Sequence, residues 1–274
     1  PTFVPFHMAY ANLRNHRKIL VVDGSLGFTG GMNVRRSHLL SGDRNNGTAD
    51  THFRIRGPVV AHLMFTFADD WAFCTGERLA TGDWFPPLDE TGTAIARGIA
   101  AGPDEDFERI RLAILVALSQ AQREIHVVTP YFVPDPILMT ALALAAMRGV
   151  SVDILIPERN NLRLVQWASR ARLAQLLSRG CRIWQTPRPF DHSKLMTVDA
   201  AWSLIGSANW DQRSLRLNFE FNIEVYDRAF AAGLDTLISE KQAAARPLRL
   251  EDLEQRPLAA KLRDGAAWLL SPYL

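Results

Sequence analysis

Apolar positions along this chain follow two periods. A continuous β-branched run, Ile19-Leu20-Val21-Val22, suits a buried strand, and His52 to Arg56 alternates in the manner of a half-buried strand before Gly57-Pro58 stops it. From Val59 to Phe73 the spacing becomes helical, predicting an amphipathic helix that ends near Thr75-Gly76. Further on, the elements alternate. A helix over Glu105–Ala121 precedes a strand over Ile125–Thr129, broken by Pro130 and Pro134; a helix over Pro136–Arg148 is capped by Gly149. A strand over Val150–Ile156, a helix over Leu162–Ser178 closed by Gly180 and a strand over Cys181–Gln185 complete the series. This β-α-β-α-β order predicts a largely parallel sheet covered by helices on both faces. A strand over Phe219–Tyr226 and terminal helices follow.

Polar punctuation sets the organisation. Arg35 to Asp50, with Gly42, Asn45, Asn46 and Gly47, reads as a loop, and residues 80–104, rich in Pro, Gly, Thr and Asp, read as the connection between two halves. The longest apolar run, Ile137 to Met147, is interrupted by Thr140 and falls short of the ~18 residues of a membrane span, so it reads as a buried helix.

One stretch occurs twice. His16-Arg17-Lys18, four residues and Asp23 are followed, after six more, by Gly30-Gly31-Met32-Asn33; His192-Ser193-Lys194, four residues and Asp199 are followed, after six more, by Gly206-Ser207-Ala208-Asn209. The chain's own residue frequencies give on the order of 0.01 chance matches to H-x-K-x4-D over its length, so the pair is a true internal repeat. After each copy the pattern runs in parallel, strand, turn, strand, helix. Before them it does not: strand and helix units fill residues 105–185 ahead of the second copy, whereas fifteen residues precede the first. The chain starts at Pro1 without a signal-peptide pattern, and it is expected to be an N-terminally truncated piece whose first half is incomplete.

Composition narrows the class. With 274 residues, 47% hydrophobic and 22% charged, the chain is a folded globular one, and a net charge of +2 argues against a nucleic-acid partner. Cys74 and Cys181 have neither disulfide-framework nor metal-ligand spacing. Lysine usage changes the picture. Of 31 basic residues only Lys18, Lys194, Lys241 and Lys261 are lysines, and two of the four lie in the repeat, where a compact ammonium is wanted rather than a guanidinium.

Two residues apart on a strand share a face, so His16 points with Lys18 and His192 with Lys194, while Asp23 and Asp199, seven positions beyond their histidines, fall opposite and brace the strand-turn geometry. Two facing copies supply two imidazoles, two ammoniums and two amides. That set performs phosphoryl chemistry without a metal or other cofactor: one imidazole attacks phosphorus, the other protonates the leaving alcohol and then deprotonates the acceptor, and the lysines and amides hold the non-bridging oxygens. The acidic groups Asp69-Asp70 and Asp104-Glu105-Asp106 read as helix or turn surface. Tyr131 and Phe132 either line an entrance at a strand end or pack. His7, His38, His52, His62 and His126 have no motif partners and read as structural or solvent-facing. Leu258 to Leu274 reads either as a membrane-interface segment or as a helix packed on the domain.

The doubled H-x-K-x4-D with G-[GS]-x-N resembles the phospholipase D superfamily, and the accessory segments Leu13 to Lys18, Gly57-Pro58-Val59, Asp70-Trp71, Thr129 to Pro134, Trp167 to Arg170, Arg213-Ser214, Asn218-Phe219-Glu220 and Ser271-Pro272 are similar to bacterial cardiolipin synthases. The resemblance implies an α/β fold of two pseudo-symmetric α-β-α sandwich halves with mixed, largely parallel sheets meeting at one active site. Residues 1–100 would hold the end of the first repeat plus the connection, and 101–274 the second repeat with C-terminal helices. It further implies a catalytic set of His16, Lys18, Asp23, His192, Lys194 and Asp199, with His16 the nucleophile and His192 the acid/base; substrate contacts from Asn33, Ser207 and Asn209; and orienting carboxylates at Glu220 for His192 and Asp50 for His16. The implied activity is phosphatidyl transfer between two phosphatidylglycerols at a bacterial membrane surface, this region being peripheral. Hydrolysis of phospholipids, nucleic-acid phosphodiester cleavage and a non-catalytic lipid-binding relic are the rivals.

Overall fold

A computed structural model describes residues 13–39, 47–79 and 82–274. His7, the middle of the loop expected over Arg35–Asp50 and the first two residues of the expected connection lie outside them. The chain begins with strands β1 (Arg14–Asn15), β2 (Ile19–Val22), β3 (Leu26–Gly30), β4 (Thr48–Ala49) and β5 (His52–Arg56), then helix α1 (Val60–Thr75). Next come β6 (Ile95–Ala101), α2 (Arg109–Gln120), β7 (Glu124–Val128), β8 (Phe132–Val133), α3 (Pro136–Met147), β9 (Ser151–Pro157), α4 (Arg163–Leu177) and β10 (Arg182–Thr186). The last part holds β11 (Phe190–Asp191), β12 (Leu195–Val198), β13 (Trp202–Gly206), β14 (Trp210–Asp211), α5 (Gln212–Arg216), β15 (Asn218–Tyr226), α6 (Arg228–Ala243), β16 (Arg246–Pro247), α7 (Leu250–Glu254) and α8 (Leu258–Trp268).

A large sheet runs β1-β15-β13-β12-β7-β9-β10-β16, with β6 also on β15; a small one runs β2-β3-β5. Parallel pairing in the large sheet is confined to β7-β9-β10, where the helices alternate with strands, and to the two-residue β1·β15 bridge. Hairpins and returns make the rest antiparallel, so the sheet is mixed and the expectation of a mainly parallel one holds only for its central strands. β6 lies inside the stretch expected to be a connection. Its seven residues pair with β15 along its length, so tertiary pairing overrides a weakly apolar, Gly-containing sequence.

The pseudo-symmetry is visible in pairing. The first repeat forms β2-β3-β5 and the second β12-β13-β15, both antiparallel and each followed by a helix, α1 or α6. Side chains of β12 alternate across the sheet: Met196 and Val198 enter the core under α2 and α3, whereas Leu195 enters the one under α6. That second core also takes Leu63 of α1 together with Ile19, Val21, Phe53 and Ile55 of the small sheet. The two sheets are therefore held by one hydrophobic cluster.

Candidate active site

Each motif begins where a short strand of one half pairs with the other half. Arg14 and Asn15 run parallel to Asn218 and Phe219, and the His16 amide donates to the Phe219 carbonyl at 2.8 Å. Phe190 and Asp191 run parallel to Thr48 and Ala49, and the His192 amide donates to the Ala49 carbonyl at 2.7 Å. The next residue along each partner strand is a carboxylate. Glu220 thus meets His16, with Nδ1 2.8 and 2.9 Å from its two oxygens, and Asp50 Oδ2 meets His192 Nδ1 at 2.9 Å. This corrects the expected pairing, which gave Glu220 to His192 and Asp50 to His16. Each carboxylate serves the histidine of the opposite repeat, because the bridges that carry the histidines cross between halves.

The turns after the motifs hold those carboxylates. Ser207 Oγ donates to Glu220 Oε2 at 2.6 Å and Asn218 Nδ2 to Oε1 at 3.1 Å. Ser207 is fully buried and its hydroxyl is committed to Glu220, so it orients the carboxylate rather than binding substrate, against expectation. At the equivalent Gly31 a Cβ would sit 2.5 Å from Asp50 Oδ1, which leaves room only for glycine beside that acid. Asn209 Nδ2 donates to Ser214 Oγ at 3.0 Å while its buried Oδ1 has no partner among the described residues; Asn33 is half-buried and makes no side-chain hydrogen bond among them.

Four of the six expected catalytic residues converge. Lys18 Nζ donates to the His16 carbonyl at 2.7 Å, and Lys194 Nζ folds onto the His192 carbonyl, 3.2 Å from Nε2 of the same ring. Asp23 and Asp199 do not reach them. Both adopt a left-handed backbone at the β2–β3 and β12–β13 turns, with φ of 50° and 55°, which aspartate tolerates better than most residues. Asp199 accepts the amides of Gln122, Arg123 and Glu124, and a cavity of about 730 Å³ between α2 and β6 opens beside it, at the end of β12 away from His192. Asp199 thus fixes its hairpin, whereas Asp23 is exposed and supplies only the turn backbone. Asp70, expected on the surface, braces the His16 strand by accepting Asn15 Nδ2 at 2.7 Å and Arg17 Nη1 at 2.6 Å.

Burial governs the charges. It pushes Lys194 down to about 7 and Lys18 down to about 8, in each case against the attraction of Asp50 and Glu220. It raises Asp50 to about 6 against the pull of Lys194, and drives His192 to about 2, with Lys194, Lys18 and His16 adding their repulsion. At neutral pH an anionic Asp50 therefore takes Nδ1–H of a neutral His192, and the Nε2 lone pair faces Lys194 Nζ at 3.2 Å. Glu220 lies against Nδ1 of His16 in the equivalent arrangement. His16 keeps 26% of its side chain exposed against 9% for His192, so it is the more accessible ring.

His38 is the group the sequence does not reveal. Its side chain is only 7% exposed, its Nδ1 has no hydrogen-bond partner among the described residues and lies 4.0 Å from Asp50 Oδ2, and its ring meets His192 edge-on at 5.9 Å. It follows no motif and sits beside a polar loop, so no spacing signal marks it. His38, Asp50 and His192 are also the set of described residues whose ligand atoms, within 4.8 Å of one another, could gather on a metal ion, but Lys194 Nζ stands 3.0 Å from His192 Nδ1 and would repel it. Tyr131 and Phe190 form an aromatic wall, their ring centroids 6.0 and 6.1 Å from that of His192. Phe132 instead stacks on Trp210 in the interior. Asp211, wholly buried near Lys194 and Glu220 and capping α5, is pushed up to about 7 by that burial.

Residues 114–241 match the family model described as "Cardiolipin synthase, PLD-like domain". Over its whole length the chain is 38% identical to a cardiolipin synthase of Geobacillus sp. (strain WCH70), covering 55% of that protein, and 35% identical to cardiolipin synthase 2 of Staphylococcus epidermidis (strain RP62A), covering 57%. The chain spans about half the length of the curated relatives it matches. Its fold matches the crystal structure of a phosphatidylserine synthase of Haemophilus influenzae, with a TM-score of 0.72 at 16% identity over 95% of this chain and 71% of the other. It also matches Nuc, a phospholipase D family member of Salmonella typhimurium, with a TM-score of 0.50 at 22% identity over 57% of this chain and 99% of that one. Two crossed histidine–carboxylate pairs on mixed sheets, together with these matches, support a protein of phospholipase D-superfamily type. Within that superfamily, the chain is similar to the cardiolipin synthases.

Proposed function

We propose that this chain carries the reaction centre of a phosphatidyltransferase that makes cardiolipin from phosphatidylglycerol. The observation behind this reading is the crossed pairing, which engages Nδ1 of each ring from the opposite half and leaves Nε2 as the reacting nitrogen, on His192 beside Lys194 Nζ. His16, the more exposed ring, attacks phosphorus of one phosphatidylglycerol through Nε2. The P–O bond to the headgroup glycerol breaks, His192 Nε2 gives that oxygen a proton, and a phosphatidyl-His16 remains. His192 then takes the proton of a hydroxyl on a second phosphatidylglycerol, whose oxygen attacks phosphorus as the P–N bond breaks. Two phosphatidylglycerols become cardiolipin and glycerol. Lys18 and Lys194 bear the non-bridging oxygens, and the anionic phosphodiester offsets the cations that otherwise hold the proton off His192.

The substrate places this centre at a membrane surface. Among the described residues no helix is long and apolar enough to cross a membrane. Labelled phosphatidylglycerol tests the reading: glycerol release and cardiolipin are expected, unchanged by EDTA, with His16→Asn abolishing both. Phosphatidic acid as the main product would assign the chain to the hydrolases, cleavage of DNA in place of lipid to the nucleic-acid phosphodiesterases, and full turnover by His16→Asn would remove the covalent mechanism.

A further inference from the structure

The C-terminal helix carries more outward apolar surface than its packing explains. α8 lies on α4 through Ala260, Asp264, Ala267 and Trp268, yet Leu258, Leu262 and Leu269, four and seven residues apart, form the opposite face and are 70%, 65% and 77% exposed. Leu270 and Tyr273 continue that face beyond the helix, 47% and 63% exposed. Five large apolar side chains in one exposed stretch of a soluble surface mark a contact site rather than chance.

Charge and position say with what. The acid in this segment, Asp264, is 1% exposed and paired with Arg256 and Arg263, the latter also stacked over Trp167 of α4, so the cation the helix itself leaves beside the leucine stripe is Lys261. α4 carries Arg163, Arg170 and Arg172 and no acidic residue. The exposed acids Glu251 and Glu254 belong to α7, before the stripe begins, which turns the later end of α8 toward an anionic partner. A second copy of the chain fits poorly, because a two-fold contact would set these cations against their own images. An apolar stripe with cationic flanks fits an anionic phospholipid interface, where leucines enter the acyl boundary and the flanking cations stay at the headgroups.

The same end of α8 reaches the reaction centre. Trp268 and Leu274 pack in one cluster with Val133, Val165 and Tyr131, and Tyr131 is the ring beside His192. Tyr131 Oη donates to Asn161 at 2.9 Å, and the neighbours of Asn161 on α4, Leu162 and Leu164, are exposed too. We infer that the outward face of α8 and the turn after it, with the start of α4, docks this chain on an anionic phospholipid surface and presents the Tyr131 side of the histidine site to that surface. The inference rests on the lipid-substrate reading above, but vesicle binding is measured without turnover, so the two fail separately.

The test is co-sedimentation of the 274-residue chain with phosphatidylglycerol vesicles and with phosphatidylcholine vesicles. Binding is expected to the former and weakly to the latter. Leu262→Asp with Leu269→Asp should lower binding at least about tenfold, since each buried leucine accounts for that order of partitioning. Turnover of monomeric short-chain phosphatidylglycerol should persist in that double variant, which shows that it folds. Lys261→Glu, a milder change at the flank, should weaken binding to the anionic vesicles alone. Undiminished vesicle binding by the double variant overturns the inference. So does wild-type chain that stays in the supernatant, or a dimer in sedimentation velocity that the double variant dissociates.

Discussion

Lys194 is placed where it weakens the fold. Its side chain is 4% exposed and its pKa drops from 10.5 to about 7, which means that holding the ammonium costs the folded state about 5 kcal/mol wherever both folded and unfolded lysine are protonated, below pH 7. Lys194→Met keeps the apolar stem and removes that cost. The attraction to Asp50 is already contained in that lowered pKa, so against the gain stands the charge-assisted hydrogen bond to one buried carbonyl, that of His192, left without its donor, roughly 3 kcal/mol. The variant should therefore be more stable by about 2 kcal/mol at pH 6, a rise in Tm of about 5 °C for a chain of this size. The sign with pH is fixed by linkage. A lysine whose folded pKa lies below its unfolded value destabilises fully under the lower one, and the penalty fades as pH climbs from about 7 to 10.5. Calorimetry at pH 6 and pH 9.5 should show the advantage shrink, while turnover falls at least about a hundredfold through loss of one oxyanion donor. A lower Tm than wild type at pH 6, or an advantage that does not shrink with pH, refutes the reasoning.

Crossing of the carboxylates separates the two histidines kinetically. With a substrate whose leaving group needs no proton, Glu220→Gln should abolish labelling of His16, whereas Asp50→Asn should still trap the label and stall its transfer, each with a loss of roughly a thousandfold in steady-state turnover; the reverse pattern in acid-quenched samples would restore the uncrossed pairing. The pH dependence of kcat/KM should be bell-shaped. It rises as Asp50 ionises through about 6 and falls as Lys194 and Lys18 lose their protons through about 7 to 8, and a rate still climbing at pH 9 would deny the lysines a cationic role.

Local order was legible because the motif encodes it. The β-branched run at Ile19–Val22, the glycines after α3 and α4 and the double H-x-K located strands, helix ends and the four convergent residues, each from a few neighbouring side chains. Pairing between halves was not legible. Nothing in the sequence says that Arg14 and Asn15 lie against Asn218 and Phe219, so each carboxylate was assigned to the nearest motif and both assignments came out exchanged. The same blindness affected Ser207 and His38. A serine beside a motif asparagine looks like a substrate donor until Glu220 is known to sit 2.6 Å away, and a histidine beside a polar stretch looks solvent-facing until its ring is seen buried 4.0 Å from Asp50.

The charges around the crossed pairs account for why the site is built from two of everything. Burial, with the repulsion of Lys194 and Lys18, holds the imidazole of His192 neutral. A phosphodiester brings a negative charge beside that ring and works against both effects. On the proposed phosphatidyl-transfer reading, a proton on His192 cancels that charge and is what the leaving glycerol would need. Substrate binding and arming of the general acid are then the same electrostatic event, which a single motif copy with one lysine, one carboxylate and its nucleophilic histidine cannot provide.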